Sequence, residues 1–85
     1  MSEDDVKAFL RYPSKALVDF ALTLVNLTWQ ERTAVDLCIM QGYTQEAAAE
    51  KAGTTDKTMQ RWHRAAIGKL CAAWAETVWI KKVIS

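Results

Sequence analysis

The segment between residues 44 and 62, TQEAAAEKAGTTDKTMQRW, restricts the fold of this chain more than any other stretch. It contains two runs with helical patterning, separated by a glycine at position 53. A threonine precedes each run, where its side-chain oxygen can cap the first turn of a helix. We therefore predict a short helix from Gln45 to Ala52 and a second helix from Asp56 to about Lys82.

The residues around Gly53 have the spacing that two closely crossing helices require. A small residue, Ala49, stands four positions before the glycine, where a large side chain would push the helices apart. Apolar residues stand six and nine positions after it, at Met59 and Trp62, where they can hold the second helix against the first. Two helices joined by a short turn that contains glycine form a helix-turn-helix unit.

Residues 28–70, about half of the chain, resemble the helix-turn-helix superfamily of DNA-binding proteins. LTWQER (27–32), Gly42 and TMQRWHRAAIGKL (58–70) are similar to region 4 of bacterial sigma factors and to LuxR-type response regulators. The segment 44–62 also resembles the helix-turn-helix segments of phage small terminase subunits and transposases. These resemblances imply DNA as a partner, with RNA polymerase binding or DNA packaging as alternative roles.

The second helix of the motif is predicted to expose a basic face. At about 100° per residue, Lys57, Arg61 and Arg64 fall opposite the side that carries Met59, and Gln60 lies beside them. In the major groove, arginine can hydrogen-bond guanine through two donors, and a glutamine side chain can bond adenine in a similar way. We therefore expect Gln60 and Arg61 to contact bases, together with Lys57.

Other polar residues of the motif are predicted to meet the DNA backbone. Arg64 and Lys69 lie further along the second helix, and we expect them to contact phosphates. Contacts with phosphate position a protein on DNA without specifying a sequence. Thr44 and Thr55 cap the two helix starts, where backbone N–H groups attract phosphate.

The predicted function is sequence-specific binding of double-stranded DNA by a small bacterial or phage transcription regulator. One alternative is a DNA-packaging subunit like the small terminases. The other is a protein-binding helical module, whose partner would be RNA polymerase or another protein. A particle of eight or more copies would indicate packaging, whereas an absence of salt-dependent DNA binding would indicate the protein-binding module.

The charged residues are distributed unevenly along the chain. The whole sequence has 11 Lys and Arg and 10 Asp and Glu, a net charge of +1. Residues 1–44 hold four basic and six acidic residues, whereas residues 45–85 hold seven basic and four acidic residues. The positive charge is therefore concentrated in the half with the motif, as contact with phosphate requires.

The remaining sequence also has helical patterning, and no segment is typical of a β-strand. We predict an all-α fold, a small five-helix bundle that contains the helix-turn-helix and has a long C-terminal helix. The five helices are predicted at residues 3–12, 15–27, 29–41, 45–52 and 56–82. They form a single domain, 1–85, which consists of N-terminal helices (1–27), the DNA-binding unit (28–70) and a C-terminal helical extension (71–85).

The last helix carries a second apolar row, turned by about 80° from the side that carries Met59. The row consists of Ile67, Cys71, Trp74 and Val78. In one interpretation, the first two helices of the same chain cover it. In the other, which we favour, the row is the seam of a homo-oligomer, preferably a dimer on paired DNA half-sites. Helix 15–27 is nearly all apolar, and a chain this small has few ways to hide so much apolar surface.

The sequence has no pattern typical of an enzyme, a metal site or a cofactor site. His63 is the only histidine, and no carboxylate or serine stands at a spacing that suggests a catalytic pair. Glu46 and Glu50 are interpreted as a solvated helix face, and Cys38 and Cys71 lack the spacing of a metal or disulfide site. No apolar run is long enough to span a membrane, and the acidic start is unlike a signal peptide. We therefore expect no membrane partner and a cytoplasmic location.

Overall fold

The computed structural model describes residues 1–84, apart from the side chains of residues 78, 81 and 84. In this part of the chain every regular element is helical, which confirms the all-α prediction. The α-helices are α1 Glu3–Leu10, α2 Lys15–Thr23, α3 Trp29–Ala34, α4 Gln45–Ala52, α5 Asp56–Trp74 and α6 Val78–Ile84. The predicted long C-terminal helix is α5, which has 19 residues.

Polar caps set the starts of the first four helices. The clearest is at α3, where the Thr28 backbone N–H donates to Glu31 Oε1 at 2.9 Å. The Glu31 N–H in turn donates to Thr28 Oγ1 at 3.2 Å, which completes the capping box. Ser2 and Ser14 cap α1 and α2 through their side-chain oxygens. Each cap satisfies backbone donors that have no partner inside the helix.

The helix predicted at 29–41 has two kinds of backbone bonding. α3 is α-helical, and the chain then continues as a π-helix over Val35–Met40. The Gln41 N–H donates to the Asp36 carbonyl at 2.9 Å, five residues back, as in a π-helix. The run ends at Met40, and two residues later Gly42 has a φ of +75°, which suits a residue without a side chain.

The last predicted helix, 56–82, is interrupted. α5 ends at Trp74, and α6 begins at Val78 after a turn in which the Thr77 N–H donates to the Trp74 carbonyl at 3.1 Å. Threonine is favoured immediately before a helix, and Thr77 stands directly before α6. Residues 78–84 therefore belong to a separate helix and do not extend α5.

The described chain forms two compact units, and α5 contributes residues to both. Unit 1 contains Met1–Asn26 and the residues from Ile67 onward, and unit 2 contains Leu27–Ala66. No helix of the described residues is long and apolar enough to cross a membrane.

Trp74 is at the centre of unit 1 and is fully buried. Its ring meets the Phe9 ring edge to face, with 5.1 Å between the ring centroids. Its indole N–H donates to the Ala21 backbone carbonyl at 3.3 Å. Phe9 lies on α1 and Ala21 on α2, so both N-terminal helices pack against this tryptophan.

The packing of unit 1 bears on the apolar row proposed as a dimer seam. Ile67 and Trp74 are buried within a single chain, and Cys71 is half-buried. The side chain of Val78 lies outside the described residues. This packing favours the interpretation in which helices of the same chain cover the row, and self-association through it stays a prediction.

Gly53 ends α4 in a Schellman motif. Its φ is +71°, and the Thr54 N–H donates to the Ala49 carbonyl at 2.9 Å while the Gly53 N–H donates to Glu50 at 3.2 Å. A Cβ added at Gly53 would have no other atom within 4 Å. Glycine is therefore needed here for its backbone conformation and not for space.

We predict opposite effects for alanine at two glycines. Gly53→Ala should lower the free energy of unfolding by about 1–2 kcal/mol, because L-residues are strained at positive φ. Gly68→Ala should raise it by about 0.5–1 kcal/mol, because Gly68 lies in α5 and its added Cβ also meets nothing within 4 Å. Urea unfolding of both variants would measure this, and changes of the same sign would contradict the assigned turn.

Candidate nucleic-acid interface

The core of unit 2 is built from small side chains around one methionine. Ala34, Ala48, Ala49 and Met59 are buried and form one cluster. The three alanines let α3, α4 and α5 approach closely, and Met59 fills the space between them. Two of the predicted motif-core residues, Ala49 and Met59, thus lie at the centre of the unit.

Trp62, the other large motif-core residue, is half-buried and packs against the edge of this cluster. The indole of Trp29 covers it edge to face, with 5.7 Å between the ring centroids. Trp29 itself is 69% exposed. Sequence patterning identified position 29 only as the first turn of a helix, because no local pattern indicates a contact between residues 33 positions apart.

Four of the predicted DNA-contacting residues lie together on α5. Lys57, Gln60, Arg61 and Arg64 are all exposed and line one surface concavity of about 400 Å³. We call these four residues the α5 basic face. Their spacing of three, four and seven residues places them on one side of the helix, opposite Met59. The face presents three cations and one amide to solvent.

Hydrogen bonds at the start of α5 tie the cap to one of these cations. The Thr58 N–H donates to Thr55 Oγ1 at 3.2 Å, and the Thr55 hydroxyl donates to Thr58 Oγ1 at 2.9 Å. Arg61 Nη2 lies 3.5 Å from the same Thr58 oxygen, a long contact that draws the guanidinium toward the helix start. Because the Thr55 hydroxyl is used within the cap, a phosphate here would meet backbone N–H groups instead.

The remaining predicted contacts lie outside the α5 basic face. Thr44 caps α4, its Oγ1 accepting from the Ala47 N–H at 3.1 Å, and the residue is exposed. Lys69 is also exposed but belongs to unit 1. Helical periodicity turns Lys69 by about 140° from Arg64.

The positive character of unit 2 is local. Residues 27–66 hold five basic and five acidic residues, so their formal charges cancel. Arg32 is paired with Asp36 at 3.1 Å, and Asp56 lies in the first turn of α5, where a carboxylate favours the helix dipole. The unit can therefore attract phosphate through the α5 basic face and not through its overall charge.

The described residues contain no group of three His, Cys, Asp or Glu side chains that could hold a metal ion. Cys38 and Cys71 are free thiols. Burial raises the pKa of the Cys38 thiol, which favours its neutral form. Cys38 packs against the alanine and methionine cluster, as a small apolar residue would.

The α5 basic face thus has a rigid support of buried alanines and Met59, a capped helix start and a flanking tryptophan pair. The chemistry of these groups suits an anionic, hydrogen-bonding partner. No protein-family model, curated protein or solved structure matches this chain.

Proposed function

We propose that the chain binds double-stranded DNA by placing α5 in the major groove. The observation that carries this proposal is the α5 basic face, whose four side chains are exposed on one side of a helix held by the motif core. Arginine and glutamine are the side chains best suited to reading guanine and adenine from the major groove. Exposed lysine and arginine beside them supply the attraction to phosphate.

The dimensions of α5 fit this use. With side chains an α-helix is about 10–12 Å across, and the major groove is about 12 Å wide. From Lys57 to Arg64 the helix rises about 10 Å, which is roughly three base-pair steps at 3.4 Å each. Gln60 and Arg61 lie in the middle of this stretch and would contact bases, and Arg64 at its far end would contact a phosphate.

A contact with about three base pairs gives limited specificity for one copy of the chain. We propose that two copies bind neighbouring half-sites, as in many helix-turn-helix regulators of transcription. Selection of bound duplexes from a random pool would then yield two short motifs about one helical turn apart. A single motif would contradict the paired arrangement while leaving DNA binding itself intact.

The experiment that tests DNA binding is a salt titration with a labelled duplex. The logarithm of the association constant should fall linearly with the logarithm of salt concentration, by about 0.9 for each phosphate contacted. If two to four cationic side chains of each copy contact phosphates, the slope of this plot should be about −2 to −4 per copy. No binding at low salt, or binding without salt dependence, would overturn the proposed function.

Arg64→Ala should weaken binding to all duplexes alike and reduce the magnitude of the salt slope by about 1. The physical reason is that a phosphate contact contributes affinity without reading sequence. Arg11→Ala, which removes an exposed arginine from unit 1, is the matched control and should leave the slope unchanged. If the Arg64 variant keeps the slope of the parent, Arg64 does not contact a phosphate.

A further inference from the structure

Trp29 is the most exposed of the large apolar side chains in the described residues. One part of its indole rests on Trp62, and 69% of the residue faces solvent. An exposed indole offers a partner both an apolar ring surface and one hydrogen-bond donor. The position of Trp29 beside α5 indicates which partner this is.

The Trp29–Trp62 pair lies on one flank of the α5 basic face. Trp62 directly follows Arg61, so helical periodicity turns it by about 100° from that arginine. It therefore stands between the motif core and the basic face, on the side of Arg61. Trp29 covers Trp62 from outside and extends this flank.

A helix that fills the major groove meets different chemical groups on its face and on its flanks. The face meets the base edges on the groove floor, and the flanks meet the walls, which consist of deoxyribose and phosphate. An indole suits a wall, because its ring can cover the apolar part of a sugar. Its N–H is a donor only, which matches a phosphate oxygen.

We propose that Trp29 contacts the sugar–phosphate backbone of the DNA strand that borders α5 on the Arg61 side. This inference rests on the proposed function. It adds a neutral, aromatic contact to an interface otherwise formed by cations and amides. Because Trp29 carries no charge, its contact contributes affinity without releasing a counterion.

Two substitutions test the proposal by titration of a labelled duplex. Trp29→Ala should weaken binding about 10-fold for every duplex, as expected for the loss of a hydrogen bond to a charged group. The salt slope should stay that of the parent. Trp29→Phe keeps a ring on Trp62 but loses the N–H, and should also bind more weakly than the parent. Phe20→Ala removes an aromatic residue that is 57% exposed in unit 1, and should bind as the parent does.

The outcomes separate this inference from the proposed function. If the parent binds DNA with salt dependence and both Trp29 variants bind equally well, the inference is wrong and the function stands. If the parent does not bind, both are wrong. If Trp29→Ala turns a dimer into a monomer in sedimentation, the indole contacts a second copy of the chain and the inference is also wrong. Circular dichroism of Trp29→Phe checks that the variant compared is folded.

Discussion

Replacing Trp74 with alanine is expected to lower the free energy of unfolding by about 3–5 kcal/mol. The indole is fully buried, meets the Phe9 ring at 5.1 Å and donates to the Ala21 carbonyl at 3.3 Å. Truncation removes these contacts and leaves a cavity between helices of unit 1. Since proteins are stable by only about 5–15 kcal/mol, this loss is a large fraction of the total stability. Urea unfolding followed by circular dichroism measures the change.

Two further variants identify the source of this loss. Trp74→Phe keeps an aromatic ring but removes the hydrogen bond, and should be less destabilising than alanine. Leu24→Ala shortens an exposed side chain in the same unit and should change stability by less than about 0.5 kcal/mol. If Trp74→Ala instead kept the parent stability and sedimented as a smaller particle, Trp74 would lie between copies of the chain and not in its core.

Replacing Arg61 with alanine is expected to abolish discrimination at one base pair of the bound site. A bidentate contact with guanine contributes about 1–3 kcal/mol of preference over other bases, which is roughly 5- to 150-fold in affinity. Arg61 lies in the middle of the α5 basic face, and its guanidinium is drawn toward Thr58 near the helix start. Competition between the selected duplex and one altered at a single position measures the preference.

Charge and shape at Arg61 can be separated by a second substitution. Arg61→Lys keeps the positive charge but lacks the planar fork, so it should retain the salt slope and lose most of the base preference. Arg11→Ala removes an exposed arginine from unit 1 and should retain both. If Arg61→Ala kept the base preference of the parent, Arg61 would not be the residue through which α5 recognises that base pair.

Features set by neighbouring residues were predictable from the sequence. The capping box of Thr28 and Glu31, the left-handed turn at Gly53 and the inward position of Met59 each depend on a few consecutive residues. Caps, glycines and helical spacing have characteristic residue types, so the pattern indicates the structure directly. The grouping of Lys57, Gln60, Arg61 and Arg64 follows from the same periodicity.

Features set by distant residues were not predictable in this way. The contacts of Trp29 with Trp62 and of Trp74 with Phe9 join segments far apart in sequence, and no local pattern indicates them. In the π-helix at Val35–Met40 each backbone hydrogen bond spans five residues, where an α-helix spans four. The spacing of apolar residues in the sequence does not reveal this difference. Helical spacing places Trp74 in the apolar row that we interpret as an oligomer seam, but it does not show that Phe9 of the same chain packs against this tryptophan.

The four tryptophans are divided equally between the two units. Trp29 and Trp62 form one pair in unit 2, and Trp74 and Trp79 both lie against Phe9 in unit 1. Each unit therefore carries its own intrinsic fluorophores, and a variant in which both tryptophans of one unit are replaced by phenylalanine reports only on the other unit. Emission recorded during denaturation would then show whether the units melt together, as one cooperative transition, or in succession.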